Sequence, residues 1–280
     1  ELTRPIKEDD RVRHMEALNS QTGLVFLVYR MVKVVDEFLT ERVMADPDLD
    51  FIAIDGVRHT VWTVANESDI SFLHDAFAEV ESLYIADGHH RSAAAARVSR
   101  ARNGSGGSGG FITVIFPDHQ IKILPYNRVV KDLNGLSADE FMGKLDDVFE
   151  EDGEGQPELK NEVALYLDGR WQRLRFRSDY TSGDTIEDTL DVTLLQRHVF
   201  APLLGIDDPR TSSRIDFIGG IRDLSELEKR VDDQGWACAF SMHPITIADL
   251  LAIADGGGLM PPKSTWFEPK LRDGLFCHNL

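Results

Sequence analysis

The sequence has few cysteines and no long apolar run. Its two cysteines, Cys238 and Cys277, are not spaced as metal ligands and suit a reducing compartment, although a single disulfide between them stays open. No stretch approaches the roughly 18 consecutive apolar residues of a membrane-spanning helix, and no signal peptide is visible. These absences predict a cytoplasmic protein that does not bind membranes.

Basic residues are also scarce. The 280 residues contain 30 Lys and Arg against 48 Asp and Glu, which gives a formal net charge of −18. Because affinity for nucleic acid comes largely from Lys and Arg neutralising phosphates, we expect no nucleic-acid partner. A single nucleotide is still compatible with this charge, since a local cluster of N–H groups and one arginine outweighs the global field over a few ångströms.

The two common glycine-rich phosphate-binding motifs are missing. No G-x-x-x-x-G-K-[ST] sequence occurs, so the chain is not a P-loop kinase. Residues 103–110 formally contain G-x-G-x-x-G, but they follow a predicted helix and precede a strand, the reverse of a dinucleotide-binding turn. Their repetitive composition instead predicts a flexible Gly/Ser linker.

A polar turn between a strand and a helix is the strongest local signal that is present. The apolar run Leu83–Ala86 predicts a buried strand, and an alanine-rich helix over residues 89–102 follows Asp87-Gly88. Such a turn leaves backbone N–H groups unpaired at the helix start, where an anion can bind. The alternative is a helix whose first turn is merely polar.

The residue types in this turn suit phosphoryl transfer. The N–H groups of Gly88, His89, His90 and Arg91 are predicted to hold phosphate oxygens, with a bidentate contact from the Arg91 guanidinium. The two histidines lie about 100° apart on a helix and are poorly placed to share one metal ion, so we expect them to bind phosphate. Asp87 would bind Mg²⁺ or orient the substrate.

Hydrophobic periodicity predicts an α+β fold in two domains. Helices are predicted at 9–19, 32–44, 69–81, 190–200, 223–233 and 246–254, and a hairpin at 111–116 and 120–125 around residues 117–119. A second hairpin, 163–167 with 171–176, turns at Asp168-Gly169. The acidic, turn-rich run 150–157 marks the expected boundary, which gives domains 1–149 and 150–280.

The segment Met260–Lys270, here called the C-terminal strap, contains three prolines and the aromatic pair Trp266 and Phe267. One interpretation is an ordered segment that packs this pair onto the core. The other is a segment that contacts substrate or phosphate through Lys263, Ser264 and Thr265. The sequence alone is compatible with both interpretations.

The sequence resembles a bacterial and archaeal family catalogued as a domain of unknown function (number ten-fifteen). The motif ADGHHR at Ala86–Arg91, the strap sequence MPPKSTWFEPK and Arg214–Gly220 carry the resemblance, which covers essentially the whole chain. Since members normally extend upstream of the position of Glu1, the natural chain is expected to be longer.

A more distant resemblance links the chain to free-serine kinases with a ParB/sulfiredoxin-like fold. It implies such a fold for domain 1–149, a second α+β domain, and Glu1 as the base that activates the substrate hydroxyl, with Thr3 near the substrate. Asp87, Gly88, His90 and Arg91 match the second kinase motif. Sulfiredoxin has a reactive cysteine where this chain has His89, so sulfinate reduction is not expected.

These observations predict an Mg²⁺-dependent kinase that uses ATP or ADP and phosphorylates a small-molecule hydroxyl, most plausibly that of free L-serine. A regulatory nucleotide-binding module and a nucleotide hydrolase are the alternatives. The oligomeric state stays open.

Overall fold

A computed structural model describes residues 3–280, which form a mixed α+β fold. The chain divides into two compact units. The terminal unit contains the residues up to 121 together with 271–280, and the central unit contains residues 122–270. The expected boundary between residues 149 and 150 therefore falls inside the central unit.

The terminal unit contains a three-stranded sheet in the order β5-β2-β6. Strand β2 (Val25–Tyr29) is buried along its whole length, pairs in parallel with β6 (Thr113–Pro117), and pairs antiparallel with β5 (Tyr84–Asp87). The other elements of this unit are α1 (Pro5–Leu18), β1 (Ser20–Gln21), α2 (Lys33–Arg42), β3 (Leu49–Ile52), β4 (Arg58–Val61), α3 (Glu67–Ala78), α4 (His89–Ala101) and β15 (His278–Asn279).

Helices α1 and α4 pack side by side with their N-termini at the same end. Near the start of both helices the backbone N–H of Arg4 donates to His90 Nε2, and near the ends Arg102 donates to Asn19. Met15 packs with Ala94 and Val98 between them. Helix α1 starts four residues before the predicted Asp9, because proline is well tolerated in the first helical turn.

The central unit contains a six-stranded antiparallel sheet in the order β12-β8-β13-β10-β11-β9. Its largest apolar core contains Phe141, Leu165, Phe200 and Phe240, each almost fully buried. The elements are β7 (Lys122–Leu124), β8 (Tyr126–Val130), α5 (Ala138–Leu145), β9 (Phe149–Glu151), β10 (Glu162–Leu167), β11 (Arg170–Phe176), α6 (Asp191–Leu195), β12 (Ile215–Gly219), α7 (Leu224–Gln234), β13 (Cys238–Met242), α8 (Ile247–Asp255) and β14 (Trp266–Glu268).

One predicted hairpin is confirmed and the other is wrong. Asp168 and Gly169 have φ values of 50° and 77°, and they join β10 to β11 as a two-residue turn. Strands β6 and β7 do not pair with each other: β6 pairs with β2, and β7 pairs with β14. The chain passes from one unit to the other between residues 121 and 122, which separates the strands of the predicted hairpin.

The Gly/Ser stretch 103–110 lies inside the terminal unit and does not join the two units. Gly106–Gly109 form a 3₁₀ turn beside the C-terminal residues, and His278 contacts the Gly107 carbonyl at 2.7 Å. A Cβ atom at Gly107 would lie 1.9 Å from the Asn279 carbonyl oxygen. This glycine therefore permits a close backbone approach that a larger residue would block.

Both cysteines are free thiols, Cys238 buried and Cys277 exposed. Burial raises the pKa of the Cys238 thiol. Among residues 3–280, no helix has the length and apolar character needed to cross a membrane.

Candidate functional site

Gly88 forms the predicted turn between β5 and α4. It is the N-cap of α4 and has a φ of +100°, a conformation that residues with a Cβ rarely adopt. A Cβ atom here would lie 3.3 Å from Val25 Cα and 3.0 Å from Arg91 Nε. Glycine thus allows the turn to approach both β2 and the guanidinium of Arg91.

The Arg91 guanidinium lies beside the start of its own helix and forms two long ion pairs. Its nitrogens are 3.6 Å from Asp87 Oδ1 and 3.8 Å from Asp273 Oδ1, while the Arg91 side chain is 21% exposed. Both distances exceed those of a charge-assisted hydrogen bond, and both carboxylates are at least half exposed. Such solvent-exposed ion pairs contribute little to stability, so an incoming anion can displace the two carboxylates at a small cost in free energy.

His90 joins the starts of the two parallel helices. Its Nε2 accepts the backbone N–H of Arg4 at 3.0 Å, which leaves Nδ1 as the ring nitrogen available for another contact. The carbonyl of His89 accepts the Ser92 hydroxyl at 3.0 Å within the first turn of α4. The structure therefore gives His90 a bond that positions α1, in addition to its predicted role with phosphate.

The two helix starts create a positive electrostatic field at this end of the terminal unit. Each helix dipole carries a partial positive charge at its N-terminus, and α1 and α4 present theirs at the same end. Thr3 precedes α1, and its hydroxyl donates to Glu8 Oε1. Glu1, the predicted base, lies outside the described residues.

The predicted Mg²⁺ ligand Asp87 is a single half-exposed carboxylate. Within residues 3–280, no group of three or more His, Cys, Asp or Glu side chains is arranged to hold a metal ion. Mg²⁺ is often held by only one or two carboxylates together with nucleotide phosphates and water. The donor set around Asp87 fits that arrangement but not an all-protein metal cage.

The strap residues Lys263, Ser264 and Thr265 lie in the central unit, whereas Thr3 and residues 87–91 lie in the terminal unit. Ser264 is 3% exposed and donates its hydroxyl to the Pro261 carbonyl at 2.6 Å. The Lys263 ammonium lies 4.9 Å from the centre of the Tyr126 ring. The Ser264 hydroxyl is thus used to close a turn, while the Lys263 ammonium rests on an aromatic face.

The remainder of the strap packs onto its own unit, as one of the two interpretations predicted. Phe267 is 5% exposed, and β14 pairs with β7. The Trp266 ring lies against Gly219, where an added Cβ would be 2.4 Å from Trp266 Cε3. This contact joins the strap to the motif Arg214–Gly220, so two of the sequence motifs form one packed structure.

Sequence reasoning missed Arg4 and Asp273, which contact His90 and Arg91 respectively. Asp273 is separated from Arg91 by 182 positions and belongs to no motif, so no local pattern identifies it. Arg4 contacts His90 through its backbone, which any residue type except proline can do.

Residues 1–193 match the family described as "Protein of unknown function (DUF1015)", which confirms the family resemblance over that range. The strap lies beyond the matched residues. No curated protein matches the chain.

Several solved structures are similar at low identity. A free serine kinase in complex with AMP has a TM-score of 0.45 and 12% identity, over 95% of this chain and 81% of that chain. A conserved hypothetical protein from Pyrococcus furiosus has a TM-score of 0.44 and 12% identity, over 97% and 87%. C-terminally truncated SbnI from Staphylococcus aureus has a TM-score of 0.45 and 11% identity, over 100% and 80%.

Proposed function

We propose that this chain, which belongs to the DUF1015 family of proteins of unknown function, transfers a phosphoryl group from ATP or ADP to a small-molecule hydroxyl. Free L-serine is the proposed acceptor, because the order of motifs resembles that of free-serine kinases. The same proposal assigns a ParB/sulfiredoxin-like fold to the terminal unit.

The position of the Arg91 guanidinium at the start of α4 is the observation that carries this proposal. Phosphoryl transfer requires the phosphates to be held and their developing charge to be stabilised, with little covalent chemistry from the protein. The backbone N–H groups at the start of α4 and the neighbouring guanidinium provide both. Since the Arg91 ion pairs are long and solvated, the guanidinium is available to a phosphate.

The other residues of the turn have distinct proposed roles. Gly88, His89 and His90 are proposed to contact phosphate oxygens, and His90 also positions the start of α1 through its bond to Arg4. Asp87 would hold Mg²⁺, which on binding supplies charge neutralisation at the phosphates. Glu1 is the proposed general base for the acceptor hydroxyl, with Thr3 close to it in sequence. Lys263, Ser264 and Thr265 stay proposed contacts to substrate or phosphate, and the Ser264 hydroxyl would have to leave the Pro261 carbonyl to make one.

The proposal is tested by incubating the chain with Mg²⁺ and L-serine plus either ATP or ADP, and detecting O-phosphoserine by mass spectrometry. We expect product with at least one donor, and its loss in Asp87→Asn, which keeps the size of the side chain. Asp75→Asn is the matched control, because Asp75 is an exposed acid on α3 of the same unit.

Two other outcomes would each replace the kinase proposal. Nucleotide binding without product or hydrolysis, measured by calorimetry, would indicate a regulatory module. Release of inorganic phosphate that does not depend on serine would indicate a nucleotide hydrolase. Absence of both binding and turnover would contradict all three functions for this chain.

A further inference from the structure

The central unit contains a cavity of about 340 Å³, and within residues 3–280 none of the proposed kinase-site residues lines it. This volume falls in the range of small-molecule sites. Its apolar wall includes Val192, Phe200, Phe217 and Pro261, and its polar wall includes Arg128, Thr193 and Gln196. Pro261 brings the C-terminal strap into this wall.

Arg128 is a buried cation that has no acidic partner among the described residues. It is 4% exposed, and its guanidinium donates to the backbone carbonyls of Tyr126 and Lys263 while lying 5.6 Å from the Phe217 ring centre. Within residues 3–280, no carboxylate forms an ion pair with it, and burial alone lowers its pKa to about 9. It therefore stays protonated at neutral pH, although a buried charge is costly unless it is paired.

The geometry around Lys263 contributes to this arrangement. Lys263 has a φ of 56°, which is uncommon for a residue other than glycine. Its carbonyl accepts from the Arg128 guanidinium at 3.3 Å. A backbone conformation of this kind costs free energy and is often found at ligand sites. The strap thus fixes the orientation of the guanidinium at the cavity.

Two acceptor oxygens of residues that line the same cavity have no hydrogen-bond partner within residues 3–280. Gln196 donates from Nε2 to the carbonyls of Ile206 and Asp207, at 2.7 and 3.2 Å. Because carbonyls only accept, these bonds fix the amide orientation and leave Oε1 as an acceptor. Gln196 Oε1 and Thr193 Oγ1 are both buried without a hydrogen-bond partner among the described residues. Since neither oxygen is exposed to water, a ligand donor reaches it only when the side chain adjusts.

Thr193 lies in α6, and a π-helical turn that follows it contains Gln196. Residues Gln196–Phe200 continue α6 with the wider π-helical spacing, and both end residues line the cavity. Such turns are rare and occur frequently at functional sites. They persist only where the surrounding structure compensates for their less favourable packing.

Acidic residues at the cavity do not cancel the charge of Arg128. Asp208 is held by the Arg210 guanidinium through Nε and Nη2, at 2.9 and 2.8 Å, and this bidentate pair lowers the pKa of Asp208 to about 2. The pair is neutral as a whole, so it neither attracts nor repels an anion strongly. Asp207 is exposed, so its carboxylate is screened by solvent.

We propose that this cavity binds a small organic acid whose carboxylate pairs with Arg128 and whose hydroxyl or ammonium group donates to the Thr193 hydroxyl oxygen, with Gln196 Oε1 as a second acceptor. The carboxylate supplies the missing partner of the buried guanidinium with bidentate geometry. The donor group supplies a partner for acceptors that are otherwise unsatisfied. The apolar wall accommodates the remaining carbon atoms. This inference is independent of the proposed kinase activity.

The test measures binding of small acids to the whole chain by calorimetry and thermal shift, without any nucleotide. L-lactate and L-alanine represent the hydroxy-acid and amino-acid sources, propionate lacks the donor, and lactamide lacks the charge. We expect millimolar or tighter binding of L-lactate or L-alanine, and weaker binding of propionate and lactamide. If none of the acids binds at millimolar concentration, or if lactamide binds as tightly as L-lactate, the proposal is wrong.

Matched variants separate the two contacts. Arg128→Met should weaken binding of every acid by about tenfold or more, whereas Arg177→Met, at an exposed arginine of the same unit, should leave it unchanged. Thr193→Val keeps the side-chain shape and should weaken L-lactate or L-alanine but not propionate.

Two further outcomes would also overturn the proposal. Equal weakening of propionate by Thr193→Val would refute the donor contact. Binding of inorganic phosphate in preference to every carboxylate would refute the ligand class. If Arg128→Met does not fold, Thr193→Val decides the outcome alone.

Discussion

One arginine lies at each of the two proposed sites, and the surroundings of the two differ in a way that determines how each would bind an anion. Arg91 is partly exposed and balanced by two weakly held carboxylates, so its charge costs little before a ligand binds. Arg128 is buried and balanced by none among the described residues, so its charge is costly until an anion arrives. An anion that binds Arg91 therefore replaces its two carboxylate partners, whereas an anion that binds Arg128 provides a partner that the described residues do not supply.

Replacing Arg91 should impair nucleotide binding without destabilising the protein. We expect Arg91→Ala to weaken ADP binding by about tenfold or more, because a charge-assisted contact is lost. Stability should change by less than about 1 kcal/mol, since the lost ion pairs are long and solvated. Calorimetry and urea denaturation measure the two quantities. Arg100→Ala, at an exposed position of the same helix, is the control and should change neither; equal ADP affinity in both variants would exclude Arg91 from the site.

Gly219 is predicted to be essential for the packing of the C-terminal strap. In Gly219→Ala the new methyl group would overlap the Trp266 ring, so we expect a loss of stability of roughly 1–3 kcal/mol and a change in tryptophan fluorescence. Gly143→Ala is the matched control, because a Cβ there meets nothing within 4 Å. That control, inside α5, should be neutral or stabilising by up to about 1 kcal/mol. Equal stability of the two variants would show that Trp266 does not need the space at Gly219.

At the scale of helices and strands, local sequence patterns predict the elements that are determined by a few neighbouring residues. Helix α4 and the Asp168-Gly169 hairpin are examples, because alanine content and turn chemistry determine them locally. A strand also forms near the predicted position before the Gly88 turn, but the prediction that it is buried is wrong, since Leu83 and Ile85 are 45% and 38% exposed. The partner of β6 was predicted wrongly, since β6 pairs with β2, which lies 88 positions earlier in register. Strand pairing over such distances depends on tertiary packing, which no local pattern encodes.

Helix α5 was missed although the sequence contains its signature. Ser137 accepts the Glu140 N–H at 3.2 Å, and the Glu140 carboxylate accepts the Ser137 N–H at 2.8 Å, which is a capping box. The pattern Ser-x-x-Glu before Phe141 would have located the helix start. The acidic run 150–157 instead predicts a domain boundary between residues 149 and 150, a position that lies inside the central unit.

This capping box yields a prediction for α5. Ser137→Ala removes the side-chain acceptor at the N-cap, and we expect a loss of about 1 kcal/mol in the free energy of unfolding. Ser137→Thr retains the hydroxyl, so it should keep most of the stability that Ser137→Ala loses. Ser213→Ala, at an exposed serine of the same unit, is the control and should be neutral. Urea denaturation followed by circular dichroism measures all three. If Ser137→Ala is as stable as the control, the cap contributes nothing.

For the whole molecule, the chain leaves the terminal unit after residue 121 and returns to it at residue 271. The pairing of Ser20 with Asn279, between β1 and β15, joins residues 259 positions apart. A boundary deduced from composition assumes that each domain is continuous in sequence, so it could not detect this return. The family motifs are consequently divided between the units, ADGHHR in the terminal unit and the strap in the central unit.

The central unit should lose stability as the pH rises towards neutrality because of Asp191. This carboxyl is 6% exposed, and burial raises its pKa to about 7 despite the hydrogen bond from the Asn161 N–H. Lys160 favours its charged form, whereas Glu162 and Asp249 oppose it. The folded state therefore holds a proton that the unfolded state, with an ordinary pKa of about 3.9, has already released. The stability that the Asp191 carboxyl contributes is fully present below about pH 4. It is lost as the pH rises to about 7, at up to roughly 1.4 kcal/mol per pH unit.

Asp191→Asn isolates this contribution, because it keeps an oxygen for the Asn161 N–H but cannot ionise. We expect the variant to gain stability over the original chain progressively as the pH rises from about 4 to about 7, and to keep a constant advantage above that range. Comparing the two proteins at each pH removes the effect of the carboxylates whose pKa is lowered, such as Asp132 and Asp152, because both proteins share them. Asp179→Asn, at an exposed position of the same unit, is the charge-matched control and should show no such trend. A stability difference that stays constant across the whole range would mean that Asp191 does not titrate between the folded and unfolded states in this window.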